Sequence, residues 1–96
     1  MPEIEFSRQA ADFLTKIPAR HAGQIARKIA GFADIPDGLL VKELKGYPGL
    51  MRLKSAEYRI VFSMDETIMR VMLIERRNDD EIYKVLDRLM KHHEGT

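Results

Sequence analysis

After the turn cluster Ile35-Pro36-Asp37-Gly38 the apolar residues of this chain change their spacing, and that change limits what the chain can become. Before it, Phe6, Ala10, Phe13, Leu14 and Ile17 recur at helical intervals, as do Ala22, Ile25, Ala26, Ile29, Phe32 and Ala33. After it, from Leu40 to Ile74, the pattern has a period of two, the spacing of half-buried strands. A helical block followed by a strand block predicts an α+β domain whose helices cover one face of a sheet.

Local chemistry sets the boundaries. Ser7 can accept from the first free N–H groups of a helix, which predicts a helix from about Arg8 to Lys16. Pro18 ends it and suits the first turn of a second helix running to about Asp34, so the two form a hairpin. A short strand over Ile4-Glu5-Phe6 precedes them. Further strands are predicted over Leu40 to Leu44, Leu50 to Ser55, Tyr58 to Met64 and Thr67 to Ile74, with Gly46-Tyr47-Pro48-Gly49 as a turn. The short links Ala56-Glu57 and Asp65-Glu66 make the last three strands antiparallel neighbours. Asp79 to Lys91 reads as a closing helix, with Asn78 as its cap and Asp79, Asp80 and Glu81 at the positive end of its dipole. The expected product is a small antiparallel β-sheet with an N-terminal helical hairpin packed on one face and a C-terminal helix.

Length and composition set outer limits. Ninety-six residues suggest one domain, 1–96, and an apolar share of 45% supports a packed core. The absence of cysteine excludes a disulfide framework and a cysteine zinc site. The start lacks the basic and apolar regions of a secretory leader, and no apolar run approaches the roughly 18 residues of a membrane span. A soluble, cytoplasmic protein is expected. The net charge of +1, from 16 basic and 15 acidic residues, by itself predicts no nucleic-acid partner. Its distribution does more, because Lys42, Lys45, Arg52, Lys54 and Arg59 face only Glu43 and Glu57 in the same stretch.

Strand alternation and the two-residue links fix an expected register. Lys54 lies opposite Arg59, and Arg52 opposite Val61. Met51, Leu53, Ile60, Phe62, Met69, Val71 and Leu73 then share the face that the hairpin covers. The other face carries Arg52, Lys54, Arg59 and Arg70 among Val61, Ile68, Met72 and Ile74. Like charges facing each other on a sheet are destabilising. This face reads either as a phosphate-binding groove or as a solvated surface. Tyr83 reads either as a base-stacking residue or as an anchor of the last helix.

The stretch Lys42-Glu43-Leu44-Lys45-Gly46-Tyr47-Pro48-Gly49-Leu50-Met51-Arg52-Leu53-Lys54, followed by Glu57-Tyr58-Arg59-Ile60-Val61-Phe62, resembles the central segment of RelE-type toxins. The strand, helical hairpin and Pro-containing turn before it, and Arg76-Arg77 with Tyr83 after it, extend the resemblance over nearly the whole chain. The block is shared across the RelE/ParE superfamily. The catalytic positions favour the RelE branch, since Lys54, Arg59, Arg77 and Tyr83 match its catalytic set and Arg52 matches a basic residue of its groove.

That resemblance implies the toxin of a type II toxin–antitoxin module, a ribosome-dependent mRNA endoribonuclease that attacks through the 2′-OH and needs no metal or cofactor. Lys54 would be the general base, Arg52 and Arg59 would stabilise the phosphate, and Arg77 would serve the leaving group. Tyr83 would orient a base or share in proton transfer. Lys42, Lys45 and Arg76 complete the expected RNA-binding set, and strict alternation assigns the groove to Arg76 rather than Arg77. None of His21, His92 and His93 suits a catalytic role. The implied partners are a cognate antitoxin, the ribosome with its mRNA, and operator DNA only through the antitoxin complex. The alternatives are a ParE-like gyrase inhibitor that acts by binding, and a decayed toxin retained in an antitoxin-bound repressor.

Overall fold

The computed structural model describes residues 2–76 and 79–94, with side chains described for 2–76 and 82–89. Strand β1 (Glu3–Phe6) leads into helices α1 (Arg8–Lys16) and α2 (Ala19–Asp34). A short 3₁₀ turn, Gly38–Leu40, then enters β2 (Val41–Glu43), β3 (Met51–Ser55), β4 (Tyr58–Met64) and β5 (Ile68–Arg76), and α3 (Asp79–Glu94) closes the chain. Among the described residues no helix is long and apolar enough to cross a membrane.

The α+β class and the helical hairpin on one face are as expected, but the sheet is mixed rather than wholly antiparallel. Its order is β1-β5-β4-β3-β2, and β1 runs parallel to β5 while every other pair is antiparallel. The reason lies in connection length. No tight turn follows β1, so the chain crosses through the hairpin and the whole meander before β1 finds a neighbour, and a parallel pair needs such a crossover.

Residues just beyond β1 keep the free edge of β5 satisfied. The Ser7 N–H donates to the Val71 carbonyl (2.8 Å), and the Ser7 hydroxyl donates to the Met72 carbonyl (2.7 Å). The same hydroxyl oxygen accepts from the Ala10 N–H at 3.1 Å, so Ser7 caps α1 as its sequence position suggests. Two residues on, the Gln9 amide accepts from the Ile74 N–H and donates to the Ile74 carbonyl, both at 3.0 Å. One side-chain amide thus stands in for a missing strand residue.

Two apolar layers hold the sheet. Ala10, Ile25, Ile29, Phe32 and Ala33 of the hairpin pack on Leu53, Tyr58, Ile60, Phe62, Met69, Val71 and Ile74. On the opposite face Ile82 and Leu86 of α3 cover Val61 and Leu73, with Leu44 and Leu50 beside them. Leu73 was expected under the hairpin and Ile74 on the opposite face; the structure reverses both. The cause is a bulge. Val61 pairs with Leu73 but Phe62 pairs with Val71, so Met72 is an extra residue in β5 and the alternation flips beyond it.

The β4–β5 turn is capped by Asp65. Its Oδ1 accepts from the Thr67 N–H (2.7 Å), the Thr67 hydroxyl (2.9 Å) and the Ile68 N–H (2.8 Å). The Ile68 and Thr67 amides hold its carboxyl below the ordinary value of 3.8. A carboxyl depressed in the folded state adds stability above its unfolded value, and that stability is lost as pH falls through the folded value. Asp65→Ala is therefore expected to melt at lower temperature than wild type at neutral pH, with the difference narrowing as the pH drops below about 3.8. A melting difference that is the same at pH 7 and pH 2.5 contradicts this.

Candidate nucleic-acid interface

The register brings the predicted cations onto one face. Lys42 pairs with Arg52, Arg52 with Val61, and Lys54 with Arg59, as the link lengths imply. Val61 belongs to the layer under α3, so these side chains share the α3 face of the sheet. Helix α3 covers the part over β4 and β5. The cations occupy the remainder, toward β2 and the β3–β4 turn.

Lys42, Arg52 and Lys54 line an open cavity of about 210 Å³, together with Leu39, Leu40 and Val41. No carboxylate lines it. Lys42 and Lys54 are exposed and Arg52 is half-buried. Three cations around one small concavity with an aliphatic rim can take a phosphate and the sugar attached to it. Alternation predicts a strand from Leu40, whereas the structure has a 3₁₀ turn over Gly38–Leu40 that leaves Leu39 94% exposed at the rim.

Arg59 is half-buried, and its Nη1 donates to the carbonyls of Ala56 (3.2 Å) and Tyr58 (3.1 Å). The guanidinium is thereby folded over the β3–β4 turn beside Lys54. Ala56 in that turn has φ of 52°, a left-handed conformation that costs a non-glycine residue energy. One acid enters the same row of the sheet, since Glu75 pairs in register with Arg59 and also accepts from the Gln9 amide at 3.3 Å.

Two further predicted arginines, Arg76 and Arg70, have acidic partners. Arg76 is a correction. The bulge in β5 turns it to the hairpin face, where its guanidinium stands 5.8 Å from the centre of the Tyr58 ring and 3.5 Å from the Glu57 carboxylate. Arg76 therefore leaves the groove that alternation assigned to it. Arg77 lies outside the described residues. Arg70 lies on the cationic face as expected, opposite Ser63, but at the β1 side of the sheet, where it pairs with Glu5 at 3.5 Å.

Tyr83, on α3, is half-buried, and its hydroxyl accepts from the Lys45 N–H at 3.0 Å. Its ring lies 6.1 Å from that of Tyr47, whose hydroxyl donates to Asp87. The Lys45 side chain is exposed. This geometry makes Tyr83 an anchor of α3 on the β2–β3 turn. Tyr83→Phe is expected to lower stability by about 1 kcal/mol, the usual net worth of one hydrogen bond. Chemical denaturation reads it; a loss near zero removes the anchoring role.

His21, which the sequence does not single out for a catalytic role, has a specific partner in the structure. Its Nδ1 lies 2.8 Å from the Tyr58 hydroxyl, across 37 positions of chain and on the face opposite the cations. No local pattern could have joined them.

No protein-family model and no curated protein sequence matches the chain. Solved structures do match. The isolated E. coli RelE toxin superposes with a TM-score of 0.68 at 21% identity, covering 93% of this chain and 99% of that one. The RelBE2 toxin–antitoxin complex of Mycobacterium tuberculosis gives 0.69 at 20%, over 80% of this chain and 100% of that one. The YoeB dimer of Staphylococcus aureus gives 0.65 at 17%, over 80% and 98%. These chains are matched over nearly their whole length. The chain has the fold of the RelE-type toxins.

Proposed function

We propose that this protein is the toxin of a type II toxin–antitoxin module and acts as a ribosome-dependent mRNA endoribonuclease. The observation that carries the reading is the cationic face itself. Lys54 and Arg59 stand opposite each other, Lys42 and Arg52 stand opposite each other, and the cavity that Lys42, Arg52 and Lys54 line has no acid in its wall. The RelE-type fold and the matching residues at these positions support it.

RNA cleavage by this route needs a base for the 2′-OH, charge for the phosphate in the transition state and a donor for the departing 5′-oxygen. Lys54, exposed in the middle of the cluster, is the base. Arg52 and Arg59 stabilise the developing phosphate charge, which positioned cations do best where they are already fixed before reaction. Lys42 and Lys45 hold the neighbouring backbone, and Arg77 serves the leaving group. Tyr83, held by its hydroxyl, offers one side of its ring to a base. The products are a 2′,3′-cyclic phosphate and a 5′-hydroxyl, so oxygen and proton balance without an added water. The partners are a cognate antitoxin that covers this face, the ribosome and its mRNA, and operator DNA through the antitoxin complex. The site of action is the cytoplasm.

The test is a purified one. The protein is added to ribosomes programmed with a short 5′-labelled mRNA, and to the same mRNA alone. Cleavage only on the ribosome, leaving a 2′,3′-cyclic phosphate, is the expected result. Intact mRNA on the ribosome contradicts the proposal.

A further inference from the structure

Tyr58 and Arg59 are neighbours in β4 that point to opposite faces, and the structure ties both to the same turn. On the cationic face, the Arg59 Nη1 bonds the carbonyls of Ala56 and of Tyr58 itself. On the hairpin face, the Tyr58 side chain is 2% exposed and contacted from three directions. Phe13 of α1 meets its ring edge-on at 5.9 Å, and His21 of α2 meets it at 5.7 Å between centroids. Arg76 of β5 places its guanidinium 5.8 Å from the ring centre while also reaching Glu57 of the turn. The hydroxyl ends at the His21 Nδ1, 2.8 Å away.

Packing alone does not call for that hydroxyl. A phenylalanine would fill the same space between Phe13 and the sheet. The hydroxyl adds one directional bond, from the tip of the helical hairpin to the strand residue whose carbonyl receives Arg59. The turn it steadies is two residues long and includes Ala56 at a positive φ, so its backbone has an easier conformation to relax into once released. Relaxation would move the two carbonyls that hold the Arg59 guanidinium.

We infer that His21 and Tyr58 are a positioning pair that sets Arg59 for phosphate stabilisation, acting through the β3–β4 turn from the far side of the sheet. This rests on the endoribonuclease reading, in which Arg59 touches the reacting phosphate. His21 and Tyr58 do not touch it. Arg59 held over the turn stands opposite Lys54 in register, so a small shift of the turn separates base and phosphate clamp. A misplacement of about 1 Å caused away from the reacting centre can cost up to about 100-fold in rate.

The experiment compares wild type with Tyr58→Phe, His21→Ala and His21→Gln, the last of which keeps a side-chain polar group within reach of the hydroxyl. Two readouts are taken: kcat and KM for cleavage on programmed ribosomes, and the ¹⁵N cross-peak of the Arg59 Nε–H. Tyr58→Phe and His21→Ala are expected to lower kcat about 10-fold with KM nearly unchanged, and to move the Arg59 cross-peak. His21→Gln is expected to restore most of the rate. In an Arg59→Lys background, Tyr58→Phe is expected to have no further effect on cleavage. A wild-type kcat in Tyr58→Phe overturns the inference, whatever happens to the melting temperature. If wild type does not cut mRNA at all, the proposed function fails instead. The cross-peak then decides the pair by itself: a moved peak supports the link, and an unmoved one overturns it.

Discussion

Lys54→Ala and Arg59→Ala are each expected to reduce ribosome-dependent mRNA cleavage by at least about 100-fold, the usual cost of losing a general base or a preorganised charge in a transition state. Growth arrest on expression should disappear with either. The fold should survive both changes, because Lys54 is exposed and Arg59 half-buried, and neither belongs to the apolar layers. Arg59→Ala removes two hydrogen bonds to turn carbonyls and should melt slightly below wild type. Lys54→Ala should melt as wild type or above it, since it relieves the facing of two like charges on adjacent strands. The pairing of kinetics with melting separates chemistry from stability. A folded Lys54→Ala, Arg59→Ala double variant that still cuts mRNA would remove both residues from the mechanism.

Phe62→Ala carries the largest expected loss of stability. Phe62 is fully buried at the centre of β4, between β3 and β5, and its ring meets Phe32 of α2 edge-on at 5.2 Å between centroids. Truncation removes the ring's burial and leaves a cavity at the junction of hairpin and sheet, a change that costs about 3–5 kcal/mol. For a domain of this size that corresponds to a fall in melting temperature of roughly 15–30 °C. Equilibrium unfolding in urea measures it. A loss under about 1 kcal/mol would mean that the helical hairpin does not pack on β4 as described. Phe62→Leu, which keeps much of the volume, should recover a large part of the loss.

The elements with a local cause are legible in the sequence. Ser7 marked the start of α1 to the residue, and the two-residue link at Ala56-Glu57 set Lys54 against Arg59. That one register placed most of the candidate site, because alternation then distributes every other side chain of β2, β3 and β4. Two features had no local cause. The parallel pairing of β1 with β5 joins the two ends of the sheet across the whole meander. The bulge at Met72 is one extra residue with an ordinary apolar side chain, and nothing in its identity announces it. Its effect was large, since it exchanged Leu73 with Ile74 and sent Arg76 to the wrong face for a groove residue. The His21–Tyr58 bond was unreadable for the same reason as the parallel pair, being a contact between distant segments made by topology. Tyr83 shows the opposite case. Both of its readings were visible in the sequence, and the Lys45 N–H bond to its hydroxyl gives the anchoring one a specific contact.

The most direct test of the central claim is 5′-end mapping of a translated mRNA after induced expression of the protein, with the start codon intact and with it removed. New ends within the reading frame that vanish when translation is blocked are the expected result. Growth arrest with mRNA left intact would contradict the endoribonuclease reading and favour a toxin that acts by binding gyrase.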